Sequence, residues 1–430
     1  MDESGMDSRD SGGRYVMKIS KIILYVLVVT LIASMGFVRK SEAVLRVAVI
    51  APLGEAGEAL RNGTEMAVEE INKAGGILNN KIQVYYVTEG SDVNKYLADL
   101  TQTIERDKCN ILVGGFSSGA VLPAMKVMKA KEVLWLGTGG AHPQVVKNVA
   151  DDPGMRYYFR VGYLDSSQQG KALADTALGI LKPNGLTKIA FIRLNLPYSL
   201  EIIKPARDVL SASGFQVMIE DEAVKINADD FSAFLDECQA KGVQAIVASF
   251  LLGETVNFVK QFGAKGLNKR IALVGALGLM LKDEFPEQVG GPEIAAYTGT
   301  ISPQVGPVDM TGDGAAIKFS DAYKARYGKS PFFIAYPAYD AFGILKAAAT
   351  RAGSLNVKQI IAVMESDDFE FSGVIRYKWK KDNHDLYVGE YKGKRYAECP
   401  FFQWYPDGRR WCVFPEHLKQ KPYLLPGQMP

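Results

Sequence analysis

The chain has 430 residues, 47% hydrophobic and 23% charged, with 50 Lys and Arg against 48 Asp and Glu for a net charge of +2. That length is enough for two or three core-bearing units, and the composition is that of a soluble globular protein. A near-neutral balance without a basic block or a basic–aromatic stripe excludes a nucleic-acid binder.

Lys18 and Lys21 precede the uncharged run Ile22–Val38, which is followed by Arg39-Lys40-Ser41-Glu42-Ala43. A basic flank, an apolar core and small residues at Ser41 and Ala43 predict a secretory signal peptide over 1–43, cut before Val44. Met17 is then the true start, and 1–16 lie upstream of it. Arg39 and Lys40 beside the cut keep a second reading open, an uncleaved membrane anchor at Ile22–Val38. That run is short of the roughly 20 residues of a full span. No cysteine follows the apolar core, which excludes a lipid-modified cysteine there.

From Val44 onward, strands and helices alternate. The segments 44–53, 81–90, 110–115 and 132–140 read as buried strands. Helices at 58–74 and 93–108 and a helix start after Ser118 fall between them, and Gly75-Gly76 stops the first. After 157–165 the rhythm restarts. Strands are predicted at 188–194, 215–224, 244–252 and 271–276, with helices at 200–213, 229–241 and 254–265 between them. A strand at 293–301 and helices at 313–327, 336–352 and 357–365 follow, and the remainder is aromatic and β-rich. Two βαβ sets of similar length imply two α/β units with parallel sheets and a cleft between them, ligands sitting at the carboxyl ends of strands.

The four cysteines are Cys109, Cys238, Cys399 and Cys412. Cys399 and Cys412 flank a hairpin with its turn at Pro406-Asp407-Gly408, so they could face each other, whereas Cys109 and Cys238 read as buried thiols. No two cysteines have ligand spacing and the three histidines are scattered, so neither a metal site nor a cofactor is expected.

Gly115-Phe116-Ser117-Ser118-Gly119 fits G-x-S-x-G, the pattern of a hydrolase's nucleophilic serine. It equally fits a strand, a polar loop and a helix N-terminus, which together cradle an anion. Pro123 is comfortable in a first turn, so the helix is expected to begin near Ala120, leaving Ser117 to Ala120 to present hydroxyls and N–H groups. For Ser118 the plain alternative is an N-cap. A hydrolase using Ser117 would need an acid and then a histidine later in the chain. His142 is too close for that order, and His384 and His417 sit in polar or terminal segments. No enzyme is expected.

The run Arg61–Val84 resembles the opening of the periplasmic leucine/isoleucine/valine-binding proteins. Further matches follow in order at 111–124, 142–145, 159–170, 229–250, 260–267 and 401–408, covering nearly all of 45–408. The resemblance implies a type I solute-binding fold, two doubly wound α/β lobes joined by three crossover strands, here with a β-rich C-terminal extension. Lobe one would be 44–161 and 301–375, lobe two 162–300 and 376–414, and 415–430 an extended tail. It implies a periplasmic protein that closes by hinge motion on a small carboxylate or amino acid and delivers it to an ABC importer's permease and ATPase. A monomer is expected. A receptor module of the same fold is the alternative, although no later membrane span or effector domain is apparent.

The resemblance also implies a pocket. Ser118, with Phe116 and Ser117 beside it, matches the serine that holds the ligand's carboxylate. Gly139, Gly140 and Ala141 match a second carboxylate and ammonium contact, with Ala141 where the family usually has threonine. Tyr198 matches an aromatic facing the ligand. Leu277 stands where amino-acid binders carry an acid for the ligand's ammonium group, and Leu251 and Leu252 replace an expected aromatic. A carboxylate cradle facing apolar walls favours an apolar or aromatic monocarboxylate. Glu254 or Asp340 would restore an ammonium partner, so a hydrophobic amino acid stays open.

Overall fold

The structure, a computed structural model, describes residues 44–162, 164–303 and 309–427. The expected leader at 1–43 and the tip of the tail at 428–430 lie outside the described residues. Strands β1 (Val44–Pro52), β2 (Lys81–Glu89), β3 (Ile111–Gly114), β4 (Leu134–Gly137) and β5 (Tyr158–Arg160) form a first sheet in the order β2-β1-β3-β4-β5. The pairs β1–β3, β3–β4 and β4–β5 are parallel. Between the strands run α1 (Gly54–Lys73), α2 (Val93–Asp107), α3 (Ser118–Lys131) and α4 (Gln144–Asp151). β3 and β4 are buried along their whole length, as strands covered on both faces must be.

After α5 (Ser166–Thr176) a second unit repeats the plan. It contains β6 (Lys188–Leu194), α6 (Pro197–Ala212), β7 (Gln216–Val224), α7 (Ser232–Ala240), β8 (Ala245–Phe250), α8 (Gly253–Ala264) and β9 (Ala272–Leu277). Two short helices, α9 (Phe285–Val289) and α10 (Pro292–Ala295), precede β10 (Thr298–Ile301). The strand expected over 293–301 is therefore shorter, because Pro292 starts a helical turn in its first half. Within the second sheet, β7-β6-β8-β9-β10 has the same winding as the first sheet, and its pairs are parallel. Two antiparallel strands, β11 and β12 (Phe371–Ser372, Arg376–Tyr377), and two more, β13 and β14 (Glu390–Tyr391, Lys394–Arg395), form separate ribbons. The hairpin β15 (Phe401–Trp404) and β16 (Arg410–Phe414), turning at Pro406-Asp407-Gly408, adds to the second sheet antiparallel to β10.

Helices α11 (Ala315–Tyr327), α12 (Ala335–Ala352) and α13 (Val357–Met364) follow β10 in the chain but return to the first unit. Asn62 of α1 donates to the Tyr323 hydroxyl at 3.0 Å, and Arg326 forks onto Glu69. At Gly63 a side chain would meet the Ala335 carbonyl at 2.3 Å, so glycine is what lets α1 and α12 approach. The cysteines are all free thiols, so the hairpin flanked by Cys399 and Cys412 is held by its ladder and not by a disulfide.

Both sheets thus have the doubly wound order 2-1-3-4-5. Its switch points lie between β1 and β3 and between β6 and β8, where such sheets open a crevice beyond the strand ends. The loops after β3 and β8 carry Phe116 and Leu251-Leu252, and Tyr198 lies in the first turn of α6, just after β6.

Candidate functional site

The β3–α3 loop is tightly laced. Phe116 and Ser117 donate their backbone N–H groups to the two oxygens of Glu89, at 2.7 and 2.6 Å. Ser117 Oγ accepts from Gly119 N at 3.2 Å, the bond of an N-cap. Ala120 N donates to Ser117 O at 3.0 Å. The helix begins at Ser118, two residues before the expected start, so Pro123 sits in its interior. Of the N–H groups that the sequence offered as an anion cradle between Ser117 and Ala120, only that of Ser118 has no acceptor among the described residues. The chain's own Glu89 carboxylate and the Ser117 cap occupy the rest.

The neighbouring β4–α4 loop closes on this one. Gly140 N donates to Phe116 O at 2.9 Å, and His142 N to Ser118 Oγ at 3.1 Å. A side chain at Gly139 would run into the Gly115 carbonyl at 2.6 Å. Ala141 O accepts from Ser166 N at 2.8 Å and from Ser166 Oγ at 3.2 Å, fastening this loop to the start of α5. The N–H groups of Gly139 and Ala141, like that of Ser118, have no acceptor among the described residues. Helix starts and strand-end loops leave such donors over, and they are the natural partners of an anion.

Beyond Phe116 lies a narrow cleft of ≈ 50 Å³ between the two units. Phe116, Tyr198, Leu251, Leu252 and Leu277 line it, together with Phe333. Half of the ten anticipated residues therefore meet in one cavity, while Ser117, Ser118, Gly139, Gly140 and Ala141 form the laced loops adjoining it. Phe116 and Phe333 stack with centroids 6.2 Å apart. Tyr198 donates its hydroxyl to Gln169 Oε1 at 2.9 Å, and Gln169 Nε2 donates to Leu164 O at 2.7 Å. Leu277 N donates to Thr300 Oγ1 at 2.8 Å. Phe333 and Gln169 escape the sequence pattern because neither lies in a loop directly after a strand: Phe333 precedes α12 and Gln169 sits inside α5. The pair Phe332-Phe333 ahead of a helix was the available signal.

Among the described residues, no Asp, Glu, Lys or Arg lines this cleft. The two acids held in reserve as ammonium partners are engaged elsewhere. Glu254 accepts from Asn227 N at 2.5 Å and from Leu252 N at 3.4 Å, stitching the start of α8. Asp340 accepts from Val374 N and from the Tyr377 hydroxyl, both at 2.8 Å, and burial pushes its carboxyl up to about 7. The nucleophile geometry is also missing. His142 Nδ1 accepts from Gln144 N, His384 sits between Tyr158 O and Glu365, and His417 meets Glu398, so no imidazole is bonded to Ser117 Oγ.

Residues 47–394 match the periplasmic binding protein family. The chain belongs to that family. Leu/Ile/Val-binding protein homolog 1 of Brucella abortus is 24% identical over 351 residues, which span 77% of this chain and 88% of the relative. The substrate-binding protein LivJ of a branched-chain amino acid transporter of Streptococcus pneumoniae, solved with isoleucine, superposes with TM-score 0.68 at 23% identity, covering 85% of this chain and 97% of its own. An ABC transporter solute-binding protein of R. palustris, solved with benzoate, superposes with TM-score 0.68 at 19% identity, covering 86% and 96%. The leucine/isoleucine/valine-binding, type I fold expected from the sequence is the fold of the molecule. Among the described residues, no helix is long and apolar enough to cross a membrane.

Proposed function

We propose that this protein is the extracytoplasmic solute-binding component of an ABC importer, presenting its cargo to a permease and ATPase. Its ligand is a small carboxylate-bearing molecule with an apolar or aromatic body, taken into the cleft lined by Phe116, Tyr198, Leu251, Leu252 and Leu277. One observation carries this reading: among the described residues, a cleft lined by no charged side chain adjoins three backbone N–H groups, of Ser118, Gly139 and Ala141, for which there is no acceptor. An anion gains charge-assisted hydrogen bonds from such donors. An ammonium group buried against Leu277 would find no charge partner, which costs several kcal/mol. That difference favours a monocarboxylate over a hydrophobic amino acid, and the benzoate and isoleucine of the two similar structures mark the alternatives.

A cavity of ≈ 50 Å³ admits a few waters. Pockets that enclose small molecules run to about 300–1,000 Å³. The two units must part to admit a ligand and close around it, the hinge motion of two-lobed binders.

A thermal-shift screen tests the proposal, setting leucine, isoleucine and phenylalanine against 4-methylpentanoate, benzoate and phenylacetate. A ligand at 100 times its Kd stabilises by about 2.7 kcal/mol. Stabilisation by the acids and not by the amino acids is expected. Stabilisation by the amino acids alone would place a carboxylate against the ammonium group and sink the monocarboxylate assignment.

A further inference from the structure

Glu89 ends β2, yet its carboxylate reaches past the end of β1 to the loop after β3, bridging the switch point of the first sheet. The side chain is 7% exposed. Each oxygen takes one N–H group, from Phe116 and from Ser117, so the two amides immediately before Ser118 are fixed by a single group. An ionised carboxylate accepts strongly on both oxygens; once protonated, its hydroxyl oxygen becomes a donor and a much poorer acceptor, so its hold on one of the two amides weakens. Phe116 lines the cleft and Ser118 offers the spare N–H, so the hold on 116–117 sets both the apolar wall and the donor.

We propose that Glu89 is the positioning residue of the carboxylate cradle, its ionised form ordering the Phe116–Ser118 loop for ligand capture and its protonation loosening that loop. This rests on the carboxylate reading given above. Burial pushes the Glu89 carboxyl up to about 7 despite the two amides that pull it down, so its charge changes near neutral pH. From α2, Tyr96 faces it, with its hydroxyl pushed up by burial and by the Glu89 charge. Lys95 of the same helix is paired with Asp99 at 2.6 Å. From α1, Glu55 is taken by Lys282, and Arg61 lies over the ring of Tyr86 within β2. His142 on the adjoining loop touches Ser118 through its backbone N–H. Imidazoles as a class change charge between about pH 5 and 8, so the experiment carries a His142→Gln control.

The test follows the backbone amide resonances of Phe116 and Ser117 by NMR from pH 5 to 9, in the ligand-free protein. Both should titrate together with a midpoint near 7, in the wild type and in His142→Gln alike, and should stay flat in Glu89→Gln. In parallel, the Kd for 4-methylpentanoate, a carboxylic acid ionised across pH 6–8, should weaken severalfold as pH falls from 8 to 6. In Glu89→Gln it should be weaker and independent of pH. The amide titration needs neither a variant nor a ligand, so a misfolded Glu89→Gln leaves it decisive. Amides flat in the wild type, or affinity that rises as pH falls, would overturn the proposal. Amides that titrate in a protein binding no carboxylate probe at any pH would overturn the cradle reading and not the Glu89 hold on the loop.

Discussion

Arg160 Nε lies 2.7 Å from Asp385 Oδ1, and the two side chains are 0% and 3% exposed. The pair ties β5 to a segment 225 residues later, and its other contacts spread the tie. Asp385 Oδ2 accepts from Gln168 Nε2 of α5 at 2.9 Å, Arg160 Nη1 reaches Gly140 O at 3.4 Å, and Trp379 Nε1 donates to Arg160 O at 2.7 Å. A buried ion pair is costly to break because the surviving charge is stranded. Arg160→Met should therefore cost about 3–5 kcal/mol, while Arg160→Met combined with Asp385→Leu should recover most of that loss. Urea unfolding of the single and double variants measures both. A single-variant loss below about 1 kcal/mol, the range of surface pairs, would mean the pair is not what joins these segments.

Three consecutive side chains after β9 reach elements of the first unit. Lys282 pairs with Glu55 at the start of α1, Asp283 lies 3.3 Å from Lys324 of α11, and Glu284 accepts from Ser330 N at 3.1 Å. Glu55 follows the end of β1 and Lys282 follows the end of β9, so this contact crosses the rim of the cleft. Glu55 is 41% exposed, and solvent screening keeps the contribution to stability below about 1 kcal/mol. In the proposed hinge motion, its effect belongs to closure. Lys282→Met should leave the urea midpoint nearly unchanged, yet expand the ligand-free protein in small-angle scattering at low salt. The wild type should approach the variant as salt rises past 0.15 M, where the Debye length is about 8 Å. Identical scattering profiles at every salt concentration would remove the clasp.

Much of this architecture is legible in the sequence, because strands such as Ile111–Gly114 and Ala245–Phe250 are continuous apolar runs and helices such as α1 keep apolar residues at helical spacing. The strand-end loops follow from that rhythm, whereas Tyr198, Leu251 and Leu277 are singled out by the resemblance to the leucine/isoleucine/valine-binding proteins and not by periodicity. What periodicity cannot carry is which donor is already taken. Glu89 is 27 residues from Phe116, and nothing in either segment tells that its carboxylate fills the amides a ligand was expected to use. Glu254 and Asp340 are the same lesson from the other side: both acids are plausible partners for an ammonium group, and each is held by a distant backbone amide, of Asn227 and of Val374, together with a second donor. Satisfied polar groups are a property of the assembled fold.

The cysteines offer a chemical check. Burial pushes the thiols of Cys109, Cys238 and Cys412 up to about 11, 12 and 12, and that of Cys399 up as well. The thiolate is the reactive form, so all four should resist a thiol reagent at neutral pH in the native protein. All four should react once urea unfolds it, without prior reduction, and a reductant should leave Tm unchanged. Only two reactive thiols in urea would mean that Cys399 and Cys412 are joined after all.

In the proposed function, Leu277 is the residue that separates the two ligand classes. It is fully buried at the end of β9 and forms the apolar wall of the cleft. A carboxylate placed there would be desolvated and poorly tolerated beside an apolar acid, whereas a ligand ammonium group would neutralise it. Leu277→Glu should therefore weaken 4-methylpentanoate at least about tenfold, or 1.4 kcal/mol, and improve leucine relative to it by a similar factor. Leu277→Gln, of nearly the same size but without the charge, should weaken the acid and gain nothing for leucine. Isothermal titration of both ligands against the three proteins separates charge from shape. Equal losses for acid and amino acid in Leu277→Glu would show that the ligand's α-substituent does not reach this wall, and the choice between the two classes would then fall to the loops around Ser118 and Ala141.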